Sequence, residues 1–216
     1  MMKNTKPIDS SYFSIIRNDL IKLIPENVKT ILDIGCGFGA TGNAIKKHFS
    51  GIKVIGIEIN TDAANRAKEL LDKVYIGDAE TISPDIPEGS IDCIIFGDVL
   101  EHTREPLLVL QKFSTFLTDE GFIIASIPNI RNIKPLFKII FDKFEYEDYG
   151  ILDRTHLRFF TLHTIIKMFD EAKLNIISVK KKYGMGTKYK LIRIFTFGLI
   201  SQFTIEQFLI LAKKVS

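Results

Sequence analysis

Short runs of β-branched and other apolar residues alternate along this chain with segments whose apolar positions recur at helical spacing. Such alternation predicts βαβ units closing a parallel sheet. Strands are expected at Thr30 to Ile34, Val54 to Ile59, Lys73 to Ile76, Asp92 to Phe96, Phe122 to Ile127 and Asn175 to Val179, with a last one at Gln207 to Ala212. Tyr12 to Ile24 carries Ile15, Ile16, Leu20, Leu23 and Ile24 on one helical face, and Pro25 stops it just before the first strand. Thr41 to Phe49, Asp62 to Leu71, Pro106 to Leu117 and Leu162 to Ala172 are the expected crossover helices. Thr41, Asp62 and Glu105 mark the starts of the first three, and the two carboxylates suit a helix N-terminus.

Two stretches break the alternation. Residues 129–160 mix aromatic and charged positions and run longer than a passive connection needs, which predicts an insertion on the substrate side. Residues 180–204 hold Lys180, Lys181, Lys182, Lys188, Lys190 and Arg193 without one acid.

Composition bounds the rest. The 216 residues, 46% hydrophobic and 25% charged, suffice for one domain with a full core. With 29 basic against 26 acidic residues, the net charge of +3 excludes a polyanion-coating protein. The six cations of 180–204 exceed that net charge, so the basic character is local. Cations beside apolar bulk predict peripheral contact of 180–204 with anionic lipid, or else a surface element packed on the sheet edge or in a dimer. Nucleic acid is not expected, because no tract interleaves basic and aromatic residues over a length that tracks a strand. Cys36 and Cys93 lie far apart in apolar runs, which argues for a reducing, cytoplasmic compartment rather than a disulfide scaffold. The first residues lack the apolar core of a signal peptide, and Arg193 interrupts the longest apolar stretch, Leu191 to Ile200; no membrane span is expected.

The chemistry concentrates at strand ends. ILDIGCGFGATG sets Gly35, Gly37 and Gly39 between a buried strand and a helix, where a missing Cβ lets a ligand approach the backbone. Read as G-x-G-x-x-A with Ala40 last, the loop also matches a dinucleotide fingerprint, so alone it does not choose between cofactors. Glu58 ends the second strand, where a carboxylate can accept from both hydroxyls of a ribose. Asp78 and Ala79 end the third in IGDAE, placed to border an adenine edge. In FGDVLEH a helical turn would put Asp98, Glu101 and His102 on one face. His156, in ILDRTHLRFFT, lies in a segment that must return to the carboxyl ends of the strands. Asp98, Glu101, His102 and His156 form a set that suits manganese, iron or zinc better than magnesium and that would acidify a hydroxyl. Without a metal, His102 or His156 serves as general base beside Glu101. In the plainest reading Glu101 caps a helix and His156 bonds inside the fold.

Together these runs resemble the class I S-adenosylmethionine-dependent methyltransferases, over roughly residues 12–183 and the final strand. The resemblance implies a single α/β domain over 1–216: a doubly wound, Rossmann-like sheet of seven strands, mostly parallel with the last antiparallel, and helices on both faces. It implies S-adenosylmethionine as cofactor, with Asp33, Gly35, Cys36 and Gly37 lining the methionyl group. Glu58 would then hold the ribose and Asp78 the adenine amine, Gly97 would offer backbone contacts to the methionyl ammonium, and Ile59, Ala79 and Asp98 would also line the cofactor. The FGDVLEH run with His156 looks like the E-x-x-E-H element of small-RNA 2′-O-methyltransferases and of ubiquinone-pathway O-methyltransferases, with Asp98 for the first glutamate. LDRTHLRFFT and SIPN look like a branch associated with bacterial surface-polysaccharide assembly, which implies a sugar or glycan hydroxyl as acceptor. On such a substrate Arg154 and Arg158 would hold a phosphate or carboxylate, and Tyr146, Tyr149, Phe159 and Phe160 would stack on a sugar face. As ordinary structure, the arginines pair with Glu145, Glu147 or Asp148 and the phenylalanines form a wall. The competing readings are a quinone-type or RNA 2′-hydroxyl acceptor, a nicotinamide oxidoreductase on the same glycine loop, and a non-catalytic membrane-surface module.

Overall fold

A computed structural model describes residues 14–184 and 201–215. Its sheet has seven strands: β1 (Thr30–Ile34), β2 (Lys53–Glu58), β3 (Lys73–Ile76), β4 (Ile91–Gly97), β5 (Leu117–Pro128), β6 (Leu174–Tyr183) and β7 (Ile205–Lys214). They lie in the order β3-β2-β1-β4-β5-β7-β6. β7 runs antiparallel to both neighbours, and the other described pairings are parallel. The sequence order reverses between β1 and β4, and a reversal of this kind opens a crevice at the carboxyl ends of the strands.

Alternating side chains along β1 and β4 feed two cores. Leu32, Ile34, Ile94 and Phe96 meet α4 (Pro106–Ser114) and α6 (Leu162–Glu171) through Leu110, Phe113, Ile165 and Phe169 on one face. On the other, Ile31, Cys93 and Ile95 meet α1 (Asn18–Ile21), α2 (Ala40–His48) and the end of α3 (Thr61–Ala67) through Leu20, Ile45 and Ala67. Burial on both faces explains why these strands read as continuous apolar runs. Cys36 and Cys93 are both buried and free.

Several expectations need adjustment. Residues 1–13 lie outside the described part, so the predicted helix Tyr12 to Ile24 is seen only from Ser14, and its helical turn is confined to Asn18–Ile21. Ile15 and Ile16 are exposed rather than facing the core. Arg17 is the reason: its amide donates to Thr41 Oγ1 at 3.1 Å, and Thr41 Oγ1 donates to the Ile15 carbonyl at 3.3 Å, which ties this segment to α2 in a non-helical path. The helix predicted to reach Leu117 ends at Ser114, because Leu117 already pairs with Ile91.

Within 129–160 a helix appears that periodicity did not predict, α5 (Ile133–Ile140), capped by Asn132, whose side chain accepts the Lys134 amide at 3.0 Å. Only Pro135 of this helix is buried, and Phe137, Ile139, Ile140 and Phe141 are all more than half exposed. Of the basic stretch 180–204, Lys180, Lys181 and Lys182 continue β6, and Ser201–Thr204 form a 3-10 turn. Lys188, Lys190, Arg193 and the apolar run Leu191 to Ile200 lie outside the described residues. Among those described, no helix is long and apolar enough to cross a membrane.

Candidate active site

The crevice begins at the glycine loop. Gly35 has φ +71°, and a Cβ there would meet Val99 Cγ2 at 2.8 Å, so the backbone closes on the turn after β4 only because the side chain is absent. The loop spends its donors internally. The Gly35 and Cys36 amides both donate to the Ile57 carbonyl, at 2.8 and 3.1 Å, and the Gly37 amide donates to Glu58 Oε2 at 2.9 Å. The other Glu58 oxygen accepts the Asn60 amide at 2.8 Å. A dinucleotide pyrophosphate needs loop amides and a favourable potential. Here three amides are taken and a carboxylate stands against the loop.

Asp33 lies beside Glu58, and the two form an acidic floor. Burial, and then the charge of Glu58, push the Asp33 carboxyl up to about 7. Such a floor suits a ligand that brings positive charge. Cys36 turns its thiol away from the crevice, since a Cβ on Gly56 would fall 2.6 Å from Cys36 Sγ; burial first, then Asp33 and Glu58, push that thiol well up. Cys36 can therefore meet a ligand through its backbone only. Ile59 follows Glu58 at the rim, with 65% of its surface exposed. Asp78 is half-buried; its Oδ1 accepts the Glu80 amide at 2.8 Å and Ala79 follows it.

Gly97 ends β4, and Asp98 follows in the left-handed region at φ +58°, which turns the chain back over the strand ends. The next residues form a 3-10 turn, Leu100–His102, rather than a helix. Asp98 stays near enough for its charge to act on Glu101, but its carboxylate is taken by other partners. Its Oδ1 accepts from Ser126 Oγ and from Gln207 Nε2, the latter at 2.8 Å, and its Oδ2 pairs with the Arg17 guanidinium. Arg17 also pairs with Asp19 at 2.9 Å. Arg17, Ser126 and Gln207 were missed from the sequence; the one available signal was a charged residue inside a predicted apolar face.

Glu101, His102 and His156 do come together. One ligating atom from each lies within 4.8 Å of the others, and among the described residues this is the group of three or more such side chains that could hold a metal. The departure from the four-residue set is Asp98, held elsewhere by Arg17. The backbone makes the meeting: the Leu157 and Arg158 amides both donate to the Glu101 carbonyl, at 2.8 and 3.0 Å, and so dock the LDRTHLRFFT loop on the turn after β4. Glu101 is 1% exposed, and neither carboxylate oxygen has a hydrogen-bond partner. Burial, and then the charge of Asp98, raise its carboxyl well above the ordinary range. The imidazole of His156, 4.7 Å from that of His102 between ring centroids, is lowered by burial and then by His102.

The residues assigned to an acceptor lie further out. Arg154 pairs with Asp148 at 2.8 Å and Arg158 with Glu105 at 3.5 Å. Tyr149 and Tyr146 are exposed, Phe159 is half-exposed and Phe160 is buried in the core.

This geometry, a doubly wound sheet with an acidic floor and a phosphate-averse glycine loop at its reversal point, defines the class I S-adenosylmethionine-dependent fold. A family model for the methyltransferase domain matches residues 10–179, and the chain belongs to that family. It is 30% identical over 118 residues to a ubiquinone biosynthesis O-methyltransferase of Paraburkholderia xenovorans, covering 52% of this chain and 50% of that protein. It is 26% identical over 119 residues to N-methyltransferase 4 of Papaver somniferum, covering 52% of this chain and 33% of that one. The chain thus spans half or less of the length of these curated relatives. A S-adenosylmethionine-dependent methyltransferase of Archaeoglobus fulgidus superposes with a TM-score of 0.64 at 19% identity, over 88% of this chain and 87% of its own. One of Mesorhizobium loti gives 0.65 at 16%, over 91% and 96%. At these identities the structural likeness speaks to the fold.

Proposed function

We propose that this protein transfers a methyl group from S-adenosylmethionine to a hydroxyl oxygen, on a sugar or glycan intermediate. The observation that carries an oxygen acceptor is Glu101: a buried carboxylate with both oxygens unpartnered, packed against two imidazoles beside the cofactor crevice. Such an arrangement costs several kcal/mol of desolvation (~3–5 when a partner is lacking) and persists where a proton or a cation is to be handled. A hydroxyl acceptor must lose its proton as the oxygen attacks, and this group of a carboxylate and two imidazoles can take it.

The crevice fits the cofactor. Bound there, S-adenosylmethionine supplies an electrophilic methyl on a positively charged sulfur. Asp33 and Glu58 offer the negative floor, Glu58 keeps lone pairs for the ribose diol, and Asp78 keeps Oδ2 toward the adenine edge. Ile59 covers an adenosine face. Gly97 offers its backbone to the methionyl ammonium. Arg17, near enough to lower the Asp33 carboxyl, brings the positive charge on this rim for the methionyl carboxylate. Alignment of an in-line attack then follows from holding both partners at adjacent strand ends.

The donor set Glu101, His102 and His156 also fits a divalent cation of the manganese, iron or zinc type. Such a cation, when bound, lowers the pKa of an acceptor hydroxyl. Without one, His102 or His156 takes the proton, and the downward shift of His156 keeps it neutral and ready to accept.

Two observations support a lipid-linked glycan presented at a membrane surface. Tyr146 and Tyr149 stand exposed on the insertion for stacking on a sugar, and α5 turns Phe137, Ile139 and Ile140 to solvent beside Lys134 and Lys138. The surface contact expected of 180–204 would thereby extend to 133–141. Incubation with labelled S-adenosylmethionine and an extract of free and lipid-linked glycans tests the acceptor: a labelled sugar ether is the expected product, and label on nitrogen, a quinone or RNA defeats this reading. Sedimentation with vesicles containing phosphatidylglycerol, lost in Ile140→Glu, tests the membrane contact.

A further inference from the structure

The two histidines of the cluster are held by different partners that impose the same chemical choice. His156 Nδ1 lies 3.0 Å from the Ile151 carbonyl, which can only accept, so this nitrogen carries the proton. His102 Nδ1 lies 3.0 Å from Thr155 Oγ1 and 3.3 Å from the Thr155 carbonyl. The hydroxyl has one proton, and it is committed: Thr155 Oγ1 donates to Asp153 Oδ1 at 2.6 Å, and the same oxygen takes the Thr155 amide at 2.8 Å. Toward His102 both Thr155 oxygens are therefore acceptors. We infer that Asp153 and Thr155, with the Ile151 carbonyl, are positioning groups that lock both imidazoles as Nδ1–H tautomers. That leaves two Nε2 lone pairs and the unpartnered Glu101 carboxylate as a trio of acceptors.

Three acceptors without a donor repel one another in a half-buried pocket, and a divalent cation or a proton shared with Glu101 resolves this. The loop thus prepares the ring nitrogens before any ligand arrives. Thr155→Val removes the hydroxyl that receives His102 N–H. Asp153→Ala frees the Thr155 hydroxyl proton to donate to Nδ1 and so favours the other tautomer. Thr155→Ser and Asp153→Asn keep the acceptor chain.

The inference rests on the cluster being the proton- or cation-handling site proposed above, and one experiment separates the two. Imidazole nitrogen NMR at about pH 8 reads the tautomers directly. In the unaltered protein both rings are expected as Nδ1–H. In Asp153→Ala the His102 signature shifts toward Nε2–H while His156 stays; the shift is smaller in Thr155→Val, which keeps the Thr155 carbonyl as acceptor, and Thr155→Ser keeps the signature of the unaltered protein. Zinc or manganese affinity, measured by chelator competition, falls about 10–100-fold with the tautomer change. An Nε2–H signature for His102 in the unaltered protein, or one indifferent to both substitutions, overturns the lock. Locked tautomers without metal binding uphold the lock and remove the metal from the proposed function. The reading from the unaltered protein stands even if a variant fails to fold.

Discussion

The Glu58 carboxylate accepts the Gly37 amide at 2.9 Å with one oxygen and the Asn60 amide at 2.8 Å with the other, which joins the glycine loop to the tip of β2. One side chain thus shapes the loop and, in the proposed function, serves the ribose. Glu58→Ala should leave two amides without an acceptor and cost about 1–3 kcal/mol in chemical denaturation. It should also abolish the rise in melting temperature that S-adenosylhomocysteine gives the unaltered protein. NAD should give no such rise; a rise with NAD would return the oxidoreductase reading.

Asp33 makes stability depend on pH. Its carboxyl titrates near 3.8 when unfolded and near 7 when folded, about 7 being set by burial and by Glu58. The folded state holds the extra proton between those values, so stability is greatest below the lower one and falls as pH rises through the upper. Asp33→Asn should remove that fall, and the stability gap between variant and unaltered protein should widen by roughly 2–4 kcal/mol from about pH 4 to about pH 8. Paired urea melts at the two pH values measure it. A constant gap would place the titration elsewhere.

Gly35→Ala brings a Cβ to within 2.8 Å of Val99 Cγ2 at φ +71°, where an L side chain is already strained. A loss of about 1–3 kcal/mol is expected, with weaker binding of S-adenosylhomocysteine by calorimetry.

Glu101 predicts a trade between stability and activity. Replacing an unpartnered buried carboxylate by Gln or Met should raise stability by about 1 kcal/mol or more while methyl transfer is lost. A variant both less stable and fully active would make Glu101 structural.

Disrupting Asp98 should release Arg17, Ser126 and Gln207 together. Asp98→Ala is expected to cost about 2–4 kcal/mol, and the loss in Arg17→Met and in the double variant should be far from additive. A double-mutant cycle in denaturant gives the coupling directly.

What the sequence by itself determined was the part written in local pattern. Seven strands and their chain order followed from apolar runs bounded by turn residues, and Gly35, Glu58 and Asp78 could be placed because each sits at a strand's end. Proximity across the chain was decided only in three dimensions. The basic stretch carried its charge in its composition, yet whether Lys180 to Lys182 extend an edge strand depends on pairing with β7. Helix α5 carries an apolar stripe at Ile133, Leu136, Phe137 and Ile140, and what the sequence could not say is that none of this stripe is buried in the core. Spacing put Asp98, Glu101 and His102 on one face, but a left-handed turn at Asp98 and the pull of Arg17 kept the Asp98 carboxylate out of the group that Glu101 and His102 form with His156. His156 reached Glu101 because two backbone amides found one carbonyl. Local propensity records which residues can form an element; which carboxylate meets which cation is settled by the folded chain, where each buried charge must find the partner that costs least.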